Sequence, residues 1–132
     1  MPIPHYVKMV EVSPRDGLQN EKIIIPTAIK IEFINRLSTT GLSVIEATSF
    51  VSPKWIPQLA DHVDVFNGIT KQTNINYPVL VPNITGLQSA LKSGVKEIAV
   101  FTSPSEQFTQ HNINCSVDES IERLWCNWQC AG

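Results

Sequence analysis

The sequence predicts an α/β protein with a parallel sheet. Strand-like and helix-like segments alternate four times, the strands are rich in β-branched residues, and each strand ends in a polar or turn-rich loop. The intervals between strands suit right-handed βαβ units. Two architectures fit this order: the first four β/α units of a (β/α)8 TIM-type barrel, truncated, or a small doubly wound sheet. The second is the weaker choice, because no phosphate-binding glycine loop follows the first strand.

Composition and charge exclude several classes of function. The chain has 132 residues and a net charge of -2, which suits one domain that buries a core. It has no basic run for nucleic acid and no apolar stretch near the ~20 residues of a membrane span. Because the first residues resemble neither a signal nor a transit peptide, we expect a cytoplasmic protein. A targeting segment upstream of Met1 would make the mitochondrial matrix the alternative.

The first predicted strand covers residues 7–12 and is followed by a polar loop. Pro14 cannot continue the strand, and the pair Asp16-Gly17 favours a turn. A helix is predicted to open at Thr27, since apolar residues then recur every three or four positions. Gly41 is expected to end that helix as a left-handed cap.

The next two units follow the same pattern. A second strand is predicted at residues 43–48, with a proline-punctuated loop behind it and a helix that ends at Gly68. A third strand is predicted at residues 76–81, with Pro78 where no ladder donor is needed. Asn83 is expected to cap the helix that follows, which Gly94 closes.

The last unit is predicted to begin with a strand at residues 95–101. Its continuous apolar run at residues 98–101 is typical of a strand that is covered on both faces. Residues 102–115 are predicted to form a long polar loop, and a capping box from Ser116 to Glu119 starts the final helix.

The end of the chain departs from the helical pattern. After Leu124 the apolar spacing is lost, and two Trp and two Cys fall within six residues. We therefore divide the chain into a partial barrel domain at residues 1–123 and a divergent tail at residues 124–132. The three cysteines, with no Cys-x-x-Cys pair, predict free thiols and not a zinc site.

Polar side chains at the strand ends are predicted to meet at one edge of the sheet, since parallel strands point the same way. Arg15, Asp16 and Gln19 follow the first strand, and Glu46 ends the second. Arg15 can hold an oxyanion or a carboxylate, and Asp16 can ligate a hard divalent cation. Glu46 can orient Arg15 or relay a proton. The simpler alternatives are a solvated loop with a helix cap, and a surface acid paired with a lysine.

Several segments resemble one enzyme family, 3-hydroxy-3-methylglutaryl-CoA lyase. They are residues 10–22, 41–55, 74–80 and 112–116, and the similarity runs in one register from about residue 7 to residue 123. The Arg-Asp-Gly-x-Gln element also occurs in a wider superfamily of metal-dependent aldolases and lyases. The Ser-Phe-Val-Ser-Pro-Lys-Trp segment at residues 49–55 narrows the resemblance to the lyase.

This resemblance implies a barrel enzyme with a divalent metal, Mg²⁺ or Mn²⁺. The substrate would be an acyl-CoA thioester, cleaved to acetoacetate and acetyl-CoA in leucine catabolism and ketone body formation. Asp16 corresponds to a metal ligand, and Arg15 to a catalytic arginine that contacts substrate and stabilises an enolate. Glu46 corresponds to a catalytic acid that supports the site. Gln19 lies in the substrate-binding loop, together with Lys22. The complete enzyme is expected to be a homo-oligomer.

Other parts of the family pattern have no match. The family's His-x-His pair, its ligating asparagine and its proton-donating cysteine belong to later strands, and His5, His62 and His111 form no such pair. We therefore expect the N-terminal half of a lyase, which is inactive alone. The alternative is a non-catalytic truncated isoform that associates with a full-length lyase subunit.

Overall fold

We describe residues 3–130 of a computed structural model, and their side chains except those of residue 112 and residues 126–130. The helices are α1 (Thr27–Leu37), α2 (His62–Gly68), α3 (Ile84–Lys92), α4 (Glu106–Ile113) and α5 (Val117–Cys130), and the strands are β1 (Thr48–Ser49), β2 (Val79–Leu80) and β3 (Ile98–Ala99). A π-helical turn at Ser13–Gly17 and a 3₁₀ helix at Pro57–Leu59 precede α1 and α2. None of the helices in this part of the chain is long and apolar enough to cross a membrane.

The three strands form a parallel sheet in the order β1, β2, β3. Two isolated parallel bridges extend the pairing, from Glu11 to Ile45 and from Val44 to Asn76. Pro78 lies inside the pairing, where its carbonyl oxygen accepts a hydrogen bond from Ala47 N at 3.0 Å. The pairing requires no N–H donor from Pro78, as predicted. The predicted α/β class and parallel sheet are confirmed, but the described residues contain three strands, so the count of four β/α units stays a prediction.

The expected first strand at residues 7–12 is wrong in its extent, since pairing is confined to Glu11. The apolar side chains before it are exposed, with Val7 at 64% and Met9 at 67%. They lie at the edge of the sheet, so β-branched sequence alone gains little burial there. The coverage expected for residues 98–101 is also wrong. Val100 and Phe101 are exposed, since they lie beyond the end of β3 at Ala99.

A hydrophobic core lies between the sheet and the helices α1, α2 and α3. Ile34 of α1, Val79 of β2 and Leu87 of α3 are almost completely buried, together with Ile45 beside the first bridge. Residues from four separate segments therefore fix the strand ends against the helices. Burial on this scale contributes about 1.5–3 kcal/mol for each large aliphatic side chain.

The predicted caps are confirmed in two helices. Asn83 Oδ1 accepts a hydrogen bond from Gly86 N at 2.9 Å at the start of α3. Ser116 and Glu119 form the capping box of α5, with each side chain bonded to the other residue's backbone N–H. Gly41 takes the left-handed conformation at φ 88°. However, α1 ends at Leu37, so Gly41 turns the chain after the helix instead of capping it.

Two expectations near the end of the chain are wrong. The predicted polar loop at residues 102–115 contains α4, whose N-cap is Ser105. The segment has few apolar residues, so periodicity did not reveal it. Helix α5 continues to Cys130 without a break at Leu124, because no glycine or proline interrupts residues 117–130. The domain boundary between residues 123 and 124 stays a prediction.

Candidate active site

The π-helical turn at Ser13–Gly17 places the polar cluster at the end of the first bridged segment. Val12 O accepts hydrogen bonds from Arg15 N at 3.1 Å and Asp16 N at 2.7 Å. Leu18 N reaches back to Ser13 O, which closes the wider π-type ring. The sequence predicted a turn here but not its type. Turns of this kind are frequent at functional sites, because they direct side chains away from the ordinary helical path.

Arg15 is held between two carboxylates. Its Nε donates to Oε1 of Glu46, and its Nη1 donates to Oδ1 of Asp16 at 2.8 Å. The side chains of Arg15 and Glu46 are 18% and 8% exposed, whereas that of Asp16 is 56% exposed. The structure therefore brings together three predicted site residues. Glu46 pairs with Arg15 and not with a lysine, and Asp16 lies on the solvent side.

Backbone pairing fixes Glu46 beside the turn. Its N–H donates to Glu11 O at 2.8 Å, next to the bridge between Glu11 and Ile45. The side chain of Glu11 also contacts the turn itself, since its Oε1 accepts a hydrogen bond from Ser13 N at 2.8 Å. Hydrogen bonds from the Ser13 side chain and backbone lower the pKa of Glu11. Glu11 therefore stabilises the start of the turn. Sequence reasoning missed this role, although its place four residues before Arg15 was a signal.

Gln19 lines a cleft beside the turn. The cleft has a volume of about 380 Å³ and lies between residues 19–24 and residues 55–58. We call it the Trp55 cleft. The Gln19 side chain is partly buried, and its Oε1 is buried with no hydrogen-bond partner among the described residues. Lys22, which the sequence placed in the same loop, also lines this cleft.

One wall of the Trp55 cleft is held by a buried glutamine that sequence reasoning missed. Gln58 Nε2 donates to Ile23 O at 2.8 Å and to Glu21 O at 3.2 Å. Its Oε1 accepts from Ile25 N at 2.8 Å. No sequence pattern predicts that a glutamine in a loop will hold a neighbouring backbone segment in this way.

The role of Lys30, which contacts Gln58, is easier to recognise from the sequence. Lys30 is buried, and its ammonium group donates to Gln58 O and to Oδ1 of Asp61. It lies four residues before Ile34, on the buried face of α1. A lysine on an apolar helical face needs acceptors for its charge, and their identity could not be read from the sequence.

The described residues do not form a complete metal site by themselves. Among them, no three His, Cys, Asp or Glu side chains cluster closely enough to hold a metal ion. Asp16 offers one carboxylate, and one of its oxygens accepts from Arg15. Divalent cations such as Mg²⁺ need several more oxygen ligands. Asn83, another strand-end residue, is engaged as the cap of α3.

The family model described as HMGL-like matches residues 6–130. The chain is 64% identical over 122 residues to the cytoplasmic 3-hydroxy-3-methylglutaryl-CoA lyase of Rattus norvegicus. It is 61% identical over 121 residues to the mitochondrial hydroxymethylglutaryl-CoA lyase of Bos taurus. Each alignment covers 92% of this chain, but only 36% and 37% of the two relatives. The chain therefore spans little more than a third of their length.

Solved structures agree with this relationship. The hydroxymethylglutaryl-CoA lyase of Pseudomonas aeruginosa superposes with a TM-score of 0.93 at 51% identity, over 99% of this chain and 44% of that one. A lyase from Acinetobacter baumannii in complex with coenzyme A and 3-methylmalate has a TM-score of 0.83 at 45% identity, over 86% and 37%. The resemblance that the sequence motifs predicted is confirmed. The parallel sheet, the Arg15 turn and the family match over residues 6–130 together show that this chain belongs to the HMGL-like family of TIM-barrel proteins.

Proposed function

We propose that this chain contributes part of an active centre that cleaves 3-hydroxy-3-methylglutaryl-CoA to acetoacetate and acetyl-CoA. The observation that carries the proposal is the position of Arg15, whose guanidinium group lies between Asp16 of the same turn and Glu46, two residues before β1. A cation fixed in this way is suited to a reaction that develops negative charge on oxygen. The relatives' names include this lyase activity.

The reaction breaks one carbon–carbon bond. The tertiary hydroxyl group loses its proton, and its oxygen becomes the ketone oxygen of acetoacetate. The electron pair of the broken bond passes to the carbon next to the thioester, which gives the enolate of acetyl-CoA. That enolate then takes up a proton. In this scheme Arg15 stabilises the enolate oxygen, and Glu46 is a positioning residue that holds the guanidinium group.

Asp16 is the proposed ligand of a divalent cation, Mg²⁺ or Mn²⁺. Its carboxylate is the most exposed of the three site groups, and oxygen ligands suit hard cations. The remaining ligands would have to come from outside the described residues, since these offer no cluster that completes the site. We accordingly propose that the 132-residue chain alone has no lyase activity.

The wider context of the site is part of the same proposal. The bridged segment at Glu11 and the three strands represent the first four β/α units of a barrel. The substrate is an acyl-CoA thioester, in keeping with the coenzyme A complex of one relative. The relatives carry both cytoplasmic and mitochondrial names. We propose the cytoplasm for this chain, and a homo-oligomer for the complete enzyme.

A chimera tests the proposal on this chain's own residues. Residues 1–123 replace the corresponding segment of the Rattus norvegicus lyase, and acetoacetate is measured with Mg²⁺ present. We expect the chimera to be active, and Arg15→Gln to lower kcat roughly 10²–10³-fold, as for the loss of one oxyanion-stabilising donor. Arg36→Gln is the matched control, since Arg36 forms an exposed pair with Glu32. Full activity of Arg15→Gln would contradict the proposed role.

A further inference from the structure

The loop that follows the π-helical turn, residues 18–25, is held to the rest of the fold by one side chain. We call it the anchored loop. Its residues 20–24 are exposed, so burial of their side chains contributes little to holding them. Among the described residues, every hydrogen bond that joins this loop to a segment distant in sequence comes from Gln58. The position of the loop therefore depends on Gln58.

The side chain of Gln58 is fully used in this contact. Both hydrogens of Nε2 go to backbone carbonyl groups, those of Ile23 at 2.8 Å and Glu21 at 3.2 Å. Its Oε1 accepts a hydrogen bond from Ile25 N at 2.8 Å, and the residue is only 4% exposed. A primary amide supplies two donors and an acceptor from a single group, which a carboxylate or a thioether cannot do.

A buried ion pair fixes the backbone of Gln58. Lys30 is 3% exposed, and its ammonium group donates to Gln58 O and, at 2.7 Å, to Oδ1 of Asp61. The other carboxylate oxygen of Asp61 accepts from Thr27 Oγ1 at 2.7 Å. These bonds join the start of α1 to the segment that carries Gln58. Buried polar networks whose members are paired make the surrounding structure rigid.

A continuous series of hydrogen bonds leads from Gln58 to Arg15. Glu21, whose carbonyl group accepts from Gln58, donates its N–H to Leu18 O at 3.0 Å. Leu18 N in turn donates to Arg15 O inside the π-helical turn. The anchored loop therefore holds the end of the turn from which the Arg15 side chain projects.

We infer that Gln58 is a positioning residue for Arg15. The inference rests on the proposed function, in which the Arg15 guanidinium group stabilises the enolate oxygen. Gln58 acts through the backbone of the anchored loop, since its three side-chain hydrogen bonds all go to residues 21–25. Without them, the loop and the end of the turn shift together and move the guanidinium group away from the reacting atoms. A displacement of about 1 Å can cost roughly 10²-fold in rate.

Gln58→Glu in the chimera tests the inference through a pH profile. The protonated carboxyl group still donates one hydrogen bond and accepts another, but the ionised group donates none and repels the carbonyl oxygens of Glu21 and Ile23. The kcat of the variant relative to that of the unsubstituted chimera should therefore fall at least about tenfold between about pH 5 and pH 8, and recover on acidification. Gln88→Glu, on the exposed side of α3, should keep a constant ratio.

Gln58→Met separates positioning from the burial of a new charge. It keeps the length of the side chain, removes the same three hydrogen bonds and adds no ionisable group. We expect kcat to be at least about tenfold lower at every pH, so this variant decides the matter if ionised Gln58→Glu unfolds. A higher KM with an unchanged kcat would indicate lost substrate binding and would contradict a positioning role.

The Arg15 Nε–H signal in ¹H–¹⁵N spectra of the 132-residue chain gives a readout that does not depend on activity. The signal is assigned by its loss in Arg15→Met. It should shift in Gln58→Met, and in Gln58→Glu as the pH rises. The Arg36 Nε–H group, which donates to Glu32 Oε1 at 3.0 Å on α1, is the internal control and should not shift.

Two results would overturn the inference. One is an Arg15 signal that is the same in both Gln58 variants as in the original chain. The other is an active chimera whose kcat is unchanged by Gln58→Met. The lyase proposal fails separately: a chimera that is inactive without any substitution would refute that proposal, whereas the Arg15 signal would still show whether Gln58 positions the guanidinium group.

Discussion

Arg15 in the π-helical turn and Glu46, two residues before β1, form an ion pair between segments that are 31 residues apart in sequence. Both side chains are largely buried, so removal of either one leaves a desolvated charge. We expect Arg15→Met and Glu46→Gln each to lower the free energy of unfolding by about 1–3 kcal/mol, and the double variant by less than the sum. Urea denaturation of the four proteins measures this coupling.

The exposed pair of Arg36 and Glu32 on α1 is the matched control for this cycle. Its i, i+4 geometry and high exposure predict a coupling of at most about 0.5 kcal/mol. Equal coupling energies for the two pairs would show that burial of Glu46 does not strengthen its ion pair with Arg15.

Glu11 predicts a pH dependence of stability. Its hydrogen bonds to Ser13 lower its pKa in the folded state from the ordinary 4.5. The stability that it contributes is therefore present above pH 4.5 and is lost as the pH falls through the lower folded value. Glu11→Gln should reduce this loss of stability at acid pH, which is measured as the fall in melting temperature between about pH 6 and pH 3. Glu122→Gln, at an exposed position on α5, should show the same acid-induced loss as the original protein. An equally large loss in Glu11→Gln would disprove the role of Glu11.

Gln58 predicts a local effect near the cleft. Gln58→Leu introduces an apolar side chain of similar size and leaves Ile25 N and two backbone carbonyl groups without their partner. We expect a loss of about 2 kcal/mol or more in unfolding free energy. Hydrogen exchange at the Ile25 amide should also become faster. If that amide exchanged at its original rate in the variant, Gln58 would not be what holds the loop.

Gly86 predicts a reversal of the usual helix propensity. In an open helix interior, Gly→Ala stabilises by roughly 1 kcal/mol. At Gly86 a Cβ atom would collide with the backbone carbonyl oxygen of Phe50, so Gly86→Ala should destabilise the chain. Gln88→Ala, on the same helix but exposed, should stay within about 0.5 kcal/mol of the original protein. A higher melting temperature for Gly86→Ala would contradict this close packing.

The two sheet edges predict self-association of the 132-residue chain. Val7 and Met9 are exposed at one edge, and Val100 and Phe101 at the other. Exposed apolar edges pair with other chains. Sedimentation velocity should show species larger than a monomer as concentration rises, and Phe101→Lys should reduce them. Leu91→Lys, on exposed α3 surface, should not. A monomer at every concentration would refute the prediction.

The sequence predicted those elements whose signals are local. Asn83 and the pair of Ser116 and Glu119 marked helix starts, because their side chains bond to backbone groups a few residues away. Helix α4 lacked an apolar stripe and was missed, although Ser105 is its cap. The extent of the first strand could not be predicted, because pairing depends on neighbours that are distant in sequence.

In the candidate site, too, the sequence predicted some features and not those that depend on contacts between distant segments. The grouping of Arg15, Asp16 and Glu46 followed from the rule that parallel strands share one edge. The cleft did not follow from any rule. Gln58 acts through contacts 33 to 37 residues away in sequence, and the missing partner of Gln19 is visible only once the fold surrounds it.

The π-helical turn makes the direction of Asp16 depend on the number of residues and not on their chemistry alone. The bond from Leu18 N to Ser13 O spans one residue more than an ordinary helical bond. Deleting a single residue from this segment would restore the narrower ring and rotate later side chains by about 100°, since 3.6 residues make a turn. Substitutions that preserve charge would therefore be better tolerated here than any change of length, and insertions and deletions would be the sensitive class of variation at this corner of the molecule.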